Sequence, residues 1–391
     1  MQIIIHRGTH QIGGVATEIR TATTSIIIDM GDELGTDTDF IPNPLSIPGV
    51  TDTDGFCDAV LFTHNHGDHI GQLKSIRKDV PLYMGPLAKD IYLVTIGEKD
   101  SNLSSRVADA NCFAPGQIFT IGNITITPFS VDHSACDSYM FLLEADGKRV
   151  LHTGDFRTHG LRGKGLPKLL DKLVGEVDVL ITEGTTLSRD NAKPMTEREL
   201  QKKAVDYMEQ YKYVFVLAAS TNLERIYALS RAVPQGKYFI CDEHQKHLLE
   251  LLEQHWGKYA PLYRNIKKTV YGSNKLADFR DKGFLMMVRD NRQFRKIISS
   301  FDAGKSIILY SMWDGYRIQP NSTIPAFLNL VGRWEPLHTS GHASPDDIRM
   351  VIEKANPKAV VPIHTDNPTA LQSICPGRCI ALLTDGEVYQ I

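Results

Sequence analysis

The run Leu61-Phe62-Thr63-His64-Asn65-His66-Gly67-Asp68-His69-Ile70-Gly71 restricts the fold more than any other stretch of this 391-residue chain. Three histidines and an aspartate fall within six positions, directly after the apolar segment Ala59-Val60-Leu61-Phe62. A buried strand ending in a tight turn would bring all four side chains to one rim. His64 and His66, two apart, project to the same side of an extended backbone. Asp68 and His69 then fall on the turn that opens a helix through Ile70, Leu73 and Ile76, expected to reach about Lys78. Neutral imidazoles and carboxylates suit Zn²⁺ and related divalent ions. A polar turn with solvated histidines is the plainer account, and the rest of the chain argues against it.

The same pattern recurs. Ser25-Ile26-Ile27-Ile28 runs into Asp29, which either simply terminates a strand or orients a metal-held histidine. Ile124-Thr125-Ile126-Thr127-Pro128-Phe129 leads to Asp132-His133. Tyr139-Met140-Phe141-Leu142-Leu143 turns at Asp146-Gly147 into Arg149-Val150-Leu151-His152 and stops at Thr153-Gly154-Asp155. Val177-Asp178-Val179-Leu180-Ile181 ends at Thr182-Glu183, and Ala359-Val360-Val361-Pro362-Ile363 delivers His364. Strands disfavour acids, so acids and imidazoles at one strand end after another mark a used rim. Around these lie Ile3-Ile4-Ile5, an alternating strand at 16–20, a loop at 32–56, a strand at 80–84 and a helical stretch at 86–100. Ser344 caps a helix whose apolar face is Ile348, Val351, Ile352 and Ala355. A last hairpin is expected between 379–383 and 388–389, turning at Asp385-Gly386.

The middle differs in texture. Helical periodicity follows Pro194 and Thr196 over 196–211. Then comes the strand Tyr213-Val214-Phe215-Val216-Leu217-Ala218, the loop Ser220-Thr221-Asn222 and a helix over 223–231. A buried strand, a small polar loop and a helix N-terminus make an anion site. The strand-then-helix plan repeats at 237–240 with 243–255, and a further strand falls at 306–310, which reads as a small parallel α/β domain. Basic and aromatic residues interleave at 263–268 and 289–296. The net charge of −3 conceals +8 over residues 191–335, leaving −11 for the remainder. That asymmetry suggests an anionic partner for the middle, although a solvated basic face also accounts for it. With 42% hydrophobic and 23% charged residues and no apolar run of membrane-spanning length, a soluble globular protein is expected. The start Met1-Gln2-Ile3-Ile4-Ile5 is unlike a signal peptide. The six cysteines are scattered, with only Cys375 and Cys379 close together, so a reduced, cytoplasmic enzyme is the simplest expectation.

His64-x-His66-x-Asp68-His69 followed by His133 and Asp155 resembles the metallo-β-lactamase fold of hydrolases, and Asp29 fits the acid that precedes this signature. Glu183, His342 in Ser340-Gly341-His342-Ala343 and His364 in Pro362-Ile363-His364 resemble three further motifs, those of the β-CASP nucleases, which act on RNA or DNA. The segment His338-Thr339-Ser340-Gly341-His342-Ala343-Ser344, with His364 twenty-two positions after His342, is most similar to the ribonuclease J family. Ala219-Ser220-Thr221-Asn222 with Arg225 resembles that family's phosphate-proximal loop.

This resemblance implies an α/β fold: a metallo-β-lactamase αββα sandwich over 1–190 and 336–391, interrupted by a β-CASP-type parallel α/β domain over 191–335. It implies two divalent ions, Zn²⁺ by expectation and Mn²⁺ as the alternative. His64, His66 and His133 would hold one, Asp155 would bridge, and Asp68, His69 and His364 would hold the other. Asp68, His342 and Glu183 would serve catalysis, His342 by giving a proton or hydrogen bond to a phosphate oxygen and Glu183 by orienting a histidine. His338, Ser340, Ser220 and Asn222 would bind substrate phosphate, although ordinary loop capping explains the same residues equally well. His152, His159, His6, His10, His244, His247 and His255 are expected to be structural. Two departures stand out. The sequence stops where ribonuclease J continues into a further domain, and 270–300 has Val270-Tyr271-Gly272-Ser273-Asn274 in place of a Gly-rich segment. Both bear on substrate and cleavage mode, and the oligomeric state stays open, a homodimer included.

The expected activity is metal-dependent phosphodiester hydrolysis by a ribonuclease J-like enzyme, with RNA as partner, single-stranded DNA as the alternative and no membrane. A small-molecule hydrolase of the same superfamily, acting on a phosphodiester, thioester or lactam, is the competing reading. A nucleic-acid-binding subunit without metals is at odds with ligand types at all seven expected positions. An oxygen-reducing di-iron relative would be expected to have Glu where His66 stands.

Overall fold

The structure, a computed structural model, describes residues 1–35, 39–97, 100–189, 193–258 and 260–391. The expected domain boundary at 190/191 lies outside the described residues. The chain divides into two compact units, one from residues 1–35, 41–193 and 341–391, the other from 194–340 with Asp39 and Phe40.

The first unit holds two sheets. One runs Val388–Gln390, Gln2–Arg7, Ala16–Arg20, Ser25–Ile28, Ala59–Leu61, Leu82–Met84 and Asn111–Cys112. The other runs Ala359–Ile363, Val179–Glu183, Lys148–His152, Ser138–Ala145, Ile124–Val131 and Phe119–Ile121. Side chains alternate across each strand, so Ile26 and Ile28 enter one core while Ile27 enters another. The first core draws on both sheets, joining Ile3, Ile5, Ile19 and Leu61 to Phe141, Leu143, Val150, Ile181 and Val361. A second packs Val60, Phe62 and Leu82 against Ile70, Leu73 and Val107. A third packs Leu142, Leu151 and Leu180 against the helix Pro345–Ala355 through Ile348, Val351, Ile352 and Ala355, the face expected of it. That helix begins with a capping box in which Ser344 and Asp347 satisfy each other's backbone N–H.

Strand direction decides where the chemistry collects. Ser25–Ile28 and Ala59–Leu61 are parallel neighbours in one sheet. Lys148–His152, Val179–Glu183 and Ala359–Ile363 are successive parallel neighbours in the other. Parallel strands place their C-terminal ends at one edge, where ligand-binding groups collect in α/β proteins. Asp29, His64, Asp155 and His364 follow such ends, and Glu183 is the last residue of its strand. Pro362 lacks an N–H, and its strand lies at the sheet edge, where this is tolerated.

The second unit is a six-stranded, wholly parallel sheet in the order Thr269–Val270, Tyr238–Cys241, Phe284–Val288, Tyr213–Leu217, Ser306–Tyr310, Trp334–Pro336. The helices Glu197–Gln210, Leu223–Ala232 and Glu243–Trp256 fall where expected, the first opened by a Thr196–Glu199 capping box.

Several local expectations are corrected. Phe284–Val288, unforeseen, is an interior strand of that sheet. Trp334–Pro336 belongs to it too, so the segment runs past residue 335. The helix after the histidine cluster is one α-turn, Gly67–Ile70, followed by a 3₁₀ stretch that ends at Ser75, before Lys78. The helical stretch from 86 breaks into Pro86–Ile96 and Ser101–Ala108. Ala16–Arg20 is buried on both faces, Glu18 included. The last hairpin does not form. Ile380 bridges to Val360 in one sheet, while Val388–Gln390 pairs with Gln2–Ile4 in the other. Among the described residues no helix is long and apolar enough to cross a membrane.

Candidate metal centre

The first unit brings His64, His66, Asp68, His69, His133, Asp155, Glu183, His342 and His364 together. Asp155 Oδ2 is the hub. It lies 3.1 Å from His69 Nε2, 3.5 Å from His342 Nδ1, 3.8 Å from both His133 Nε2 and His364 Nε2, and 3.9 Å from His64 Nε2. His66 Nδ1 lies 3.2 Å from His133 Nε2, and Asp68 Oδ2 lies 3.1 Å from His364 Nε2. Overlapping groups have ligand atoms close enough to share an ion: His64, His66 and His133; His64, His69 and Asp155; Asp68, His69 and His364; and Asp155, Glu183, His342 and His364.

Four of the imidazoles are aimed from behind. Asp29, at φ +63°, accepts from Thr63 N–H and Thr63 Oγ1–H, both at 2.7 Å, and lies 2.8 Å from His69 Nδ1. His133 Nδ1 donates to the Gly341 carbonyl at 2.6 Å. His364 Nδ1 sits 2.7 Å from Thr185 Oγ1, and His64 Nδ1 3.0 Å from Thr63 Oγ1. In each case the Nε2 atom is left for the centre, which is how outer partners fix the tautomer of a ligating histidine. Glu183 accepts from Phe156 N–H at 2.9 Å and lies 3.0 Å from His342 Nδ1. A buried ion pair, Arg157 Nε to Asp132 Oδ1 at 2.7 Å, ties together the segments carrying His133 and Asp155.

The protonation pattern suits cations. Burial holds His64 and His133 well below the ordinary histidine value, with neighbouring imidazoles adding to the effect. Burial likewise lowers His66 to about 4. Burial also opposes charge on His69 and His342, but the carboxylates win: Asp155, Asp29 and Asp68 raise His69 well above its usual value, and Glu183 and Asp155 raise His342. Asp68 and Asp155 stay ionised despite burial because surrounding imidazoles favour their charged forms. The site therefore offers neutral ring nitrogens at His64, His66 and His133 beside the ionised carboxylates of Asp68 and Asp155. Among the described residues, His64 Nε2, His69 Nε2 and Asp155 Oδ2 are buried without a hydrogen-bond partner, the His69–Asp155 approach being off the line of one. Unpaired buried polar atoms are costly. A divalent cation satisfies all three, so this donor set fits a metal.

The four residues expected to bind phosphate lie in the second unit. Asn222 caps its own helix, Oδ1 accepting from Arg225 N–H at 3.4 Å. The Ser220 carbonyl accepts from Gln245 at 3.0 Å. Arg225, the basic residue of that loop, is fully buried and bound to Glu197 through Nε and Nη2 at 2.7–3.0 Å. Its Nη1 donates to His338 Nδ1 at 3.1 Å, and its Nη2 to the Thr339 carbonyl at 3.0 Å, next to Ser340. Of the interleaved basic and aromatic residues, Tyr263 is buried against Glu224, while Lys268 and Arg289 are paired with Glu253 and Asp242. A surface hollow is lined by Arg292, Arg295, Lys296, Ser299 and Ser300. Asp290 holds Arg295 at 2.7 Å, whereas Arg292 and Lys296 have no ion-pair partner among the described residues.

Residue types alone did not reveal Thr63, Thr185, the Gly341 carbonyl or the Asp132–Arg157 pair. The positions of Thr63 beside His64 and of Thr185 just after Glu183 were the available signals. His152 is structural, its Nδ1 accepting from Gly154 N–H at 3.1 Å.

Comparison with known proteins agrees with this geometry. The profile of the β-lactamase superfamily domain matches residues 36–214, and that of the Zn-dependent metallo-hydrolase RNA specificity domain matches 329–372. Over these two segments the chain is similar to the metallo-β-lactamase superfamily. It is 22% identical to a ribonuclease J of Helicobacter pylori over 98% of this chain and 60% of that protein. It is 22% identical to ribonuclease J of Mycoplasma genitalium over 98% of this chain and 72% of that protein. An RNase J-like protein of Methanocaldococcus jannaschii is 26% identical over 52% of this chain and 47% of its own length. The chain thus spans about 60% of the Helicobacter relative it matches. A solved protein of unknown function from Enterococcus faecalis shares the fold, with a TM-score of 0.80 at 20% identity over 99% of both chains.

Proposed function

We propose that the protein is a two-metal ribonuclease of the ribonuclease J type, built as an αββα sandwich interrupted by a β-CASP-type domain that runs to about residue 340. The observation that carries this is Asp155 Oδ2, buried without a hydrogen bond among five imidazoles. The core shared by both sheets and the two outer helix-on-sheet cores support the layered reading. The RNA specificity profile, the ribonuclease J relatives and the +8 charge of 191–335 support RNA over a small substrate.

In this reading His64, His66 and His133 would hold one ion and Asp68, His69 and His364 the other, with Asp155 available to both. Such ions, Zn²⁺ or Mn²⁺, would supply Lewis-acid activation of water and neutralise charge on the phosphoryl oxygens. Asp68, ionised, accepts the proton of the attacking water. Glu183 holds His342 at Nδ1 and favours its charged form, so His342 Nε2–H donates to a phosphate oxygen or the leaving group. His338, Ser340, Ser220 and Asn222 sit on loops that would meet substrate phosphates, and Arg225 fixes the His338 proton on Nε2.

The test uses purified protein with Zn²⁺ or Mn²⁺ and end-labelled single-stranded RNA. Cleavage that stops on chelation, together with lower metal content in Asp155→Asn by elemental analysis, is the expected result. Hydrolysis of a small diester, thioester or lactam with no cleavage of RNA or DNA would overturn the RNA reading in favour of a small-molecule hydrolase.

A further inference from the structure

Resting on that reading of an RNA substrate, we propose that Trp313, with Tyr316 beside it, is a stacking site for a nucleobase of the bound strand. It would act together with His338 at the C-terminal edge of the parallel sheet.

The strand Ser306–Tyr310 leaves the sheet through Ser311, Met312 and Trp313. Two backbone bonds continue the ladder past its end, Ser311 N–H to Leu217 O and Leu337 N–H to Tyr310 O, both at 2.8 Å. The loops that carry Ser311 and His338 therefore lie side by side. Arg225 fastens them to each other: Nη1 is 3.3 Å from Ser311 Oγ and 3.1 Å from His338 Nδ1. Its ion pair with Glu197 is fully buried, so the arrangement is rigid. Asp314, next to Trp313, is held by Arg317, whose hydrogen bond keeps its carboxyl below the ordinary range.

At this edge the chain exposes what folding normally hides. Trp313 and Tyr316 are each 45% exposed and Ile318 is 68% exposed. Tyr310 Oη–H holds the Trp313 carbonyl at 2.8 Å, and the indole lies over Gly315, where any side chain would collide with it. The two rings meet edge to face at 5.3 Å and 84°. The tryptophan is thus braced by its neighbours while half its surface faces solvent. Arg317 is engaged by Asp314 and stacked on Trp334, which leaves the aromatic pair uncovered by it. A held aromatic surface beside an imidazole with a fixed N–H donor matches a nucleotide, base on ring and phosphate on polar groups. It matches an apolar protein segment poorly, because covering it would also strip water from the exposed Asp314–Arg317 ion pair.

The test measures binding of the full chain to two cleavage-resistant single-stranded oligomers of equal length and charge, one of 2′-O-methyl RNA and one abasic. Trp313→Ala should bind the base-carrying oligomer about 5- to 160-fold more weakly than wild type, and the abasic oligomer equally well. Trp313→Phe should keep most of the affinity. Equal losses on both oligomers, or no loss on either, would overturn the stacking site while the RNA reading stands. Wild type that binds neither oligomer would remove both.

Discussion

Asp29→Asn tests the centre at its least exposed support. In wild type one carboxylate oxygen accepts from Thr63 N–H, and the other faces Thr63 Oγ1 and His69 Nδ1. An asparagine keeps the first bond through Oδ1 and turns an NH₂ toward the other two groups. Thr63 Oγ1 has two lone pairs and can accept from this NH₂ and from His64 Nδ1–H together, so His64 keeps its tautomer. His69 must accept at Nδ1, which moves the proton of its neutral ring to Nε2, the atom 3.1 Å from Asp155. A protonated Nε2 cannot ligate a metal. Asparagine also tolerates the left-handed backbone at φ +63°, so the substitution adds little strain of its own. Loss of an outer partner of this kind weakens metal binding about 10- to 100-fold, or about 1.4–2.7 kcal/mol. The loss should fall on the ion shared by His69, Asp68 and His364, and spare the one at His64, His66 and His133. Titration calorimetry with elemental analysis after dialysis should find one strong and one weakened ion per chain. Two ions at wild-type affinity would refute the claim that Asp29 sets the His69 tautomer.

Two further outcomes follow from charges elsewhere. Burial raises the Glu18 carboxyl, but bonds from His6 and Ser25 and attraction to Arg20 outweigh it, leaving its pKa below the ordinary value. A depressed folded pKa adds stability above the unfolded value of about 4.3, lost as pH falls through the folded one. Urea midpoints of wild type and Glu18→Gln should therefore differ most above about pH 5 and converge on acidification; a constant difference would contradict this. Arg292→Ala with Lys296→Ala should lower the salt slope of single-stranded RNA binding by about 1.4, so that between 50 and 200 mM salt wild type loses about sevenfold more affinity than the variant. Parallel slopes would show that these cations do not meet phosphate.

Much of the site could be read from the chain because acids and imidazoles at strand ends are locally visible. Asp29, His64, Asp155, Glu183 and His364 each follow an apolar run, and parallel pairing gathers them. Their supports were hidden, because the Gly341 carbonyl behind His133 and Thr185 behind His364 are neighbours only after folding. The strand Phe284–Val288 escaped notice because its methionines are weak strand signals and charged helices flank it. The final segment misled for a different reason. Asp385-Gly386 looks like a hairpin turn, yet Asp385 accepts from the Thr9 N–H and hydroxyl, and the strand beyond it goes to Gln2–Ile4. Pairing across nearly the whole chain leaves no local trace.

That long-range pairing sets an order on manufacture. A ribosome that has finished the strand Val179–Glu183 has already supplied His64, His66, His133 and Asp155, but the next strand of that sheet, Ala359–Ile363, comes only after the whole second unit. Until then the growing chain lacks both His342 and His364, and an edge of each sheet stays unpaired. A message cut short within the insert yields a protein with half a rim, unable to bring its last two histidines to Asp155. The interruption of one fold by another thus works as a completeness check, keeping the centre unassembled in every fragment that ends before residue 364.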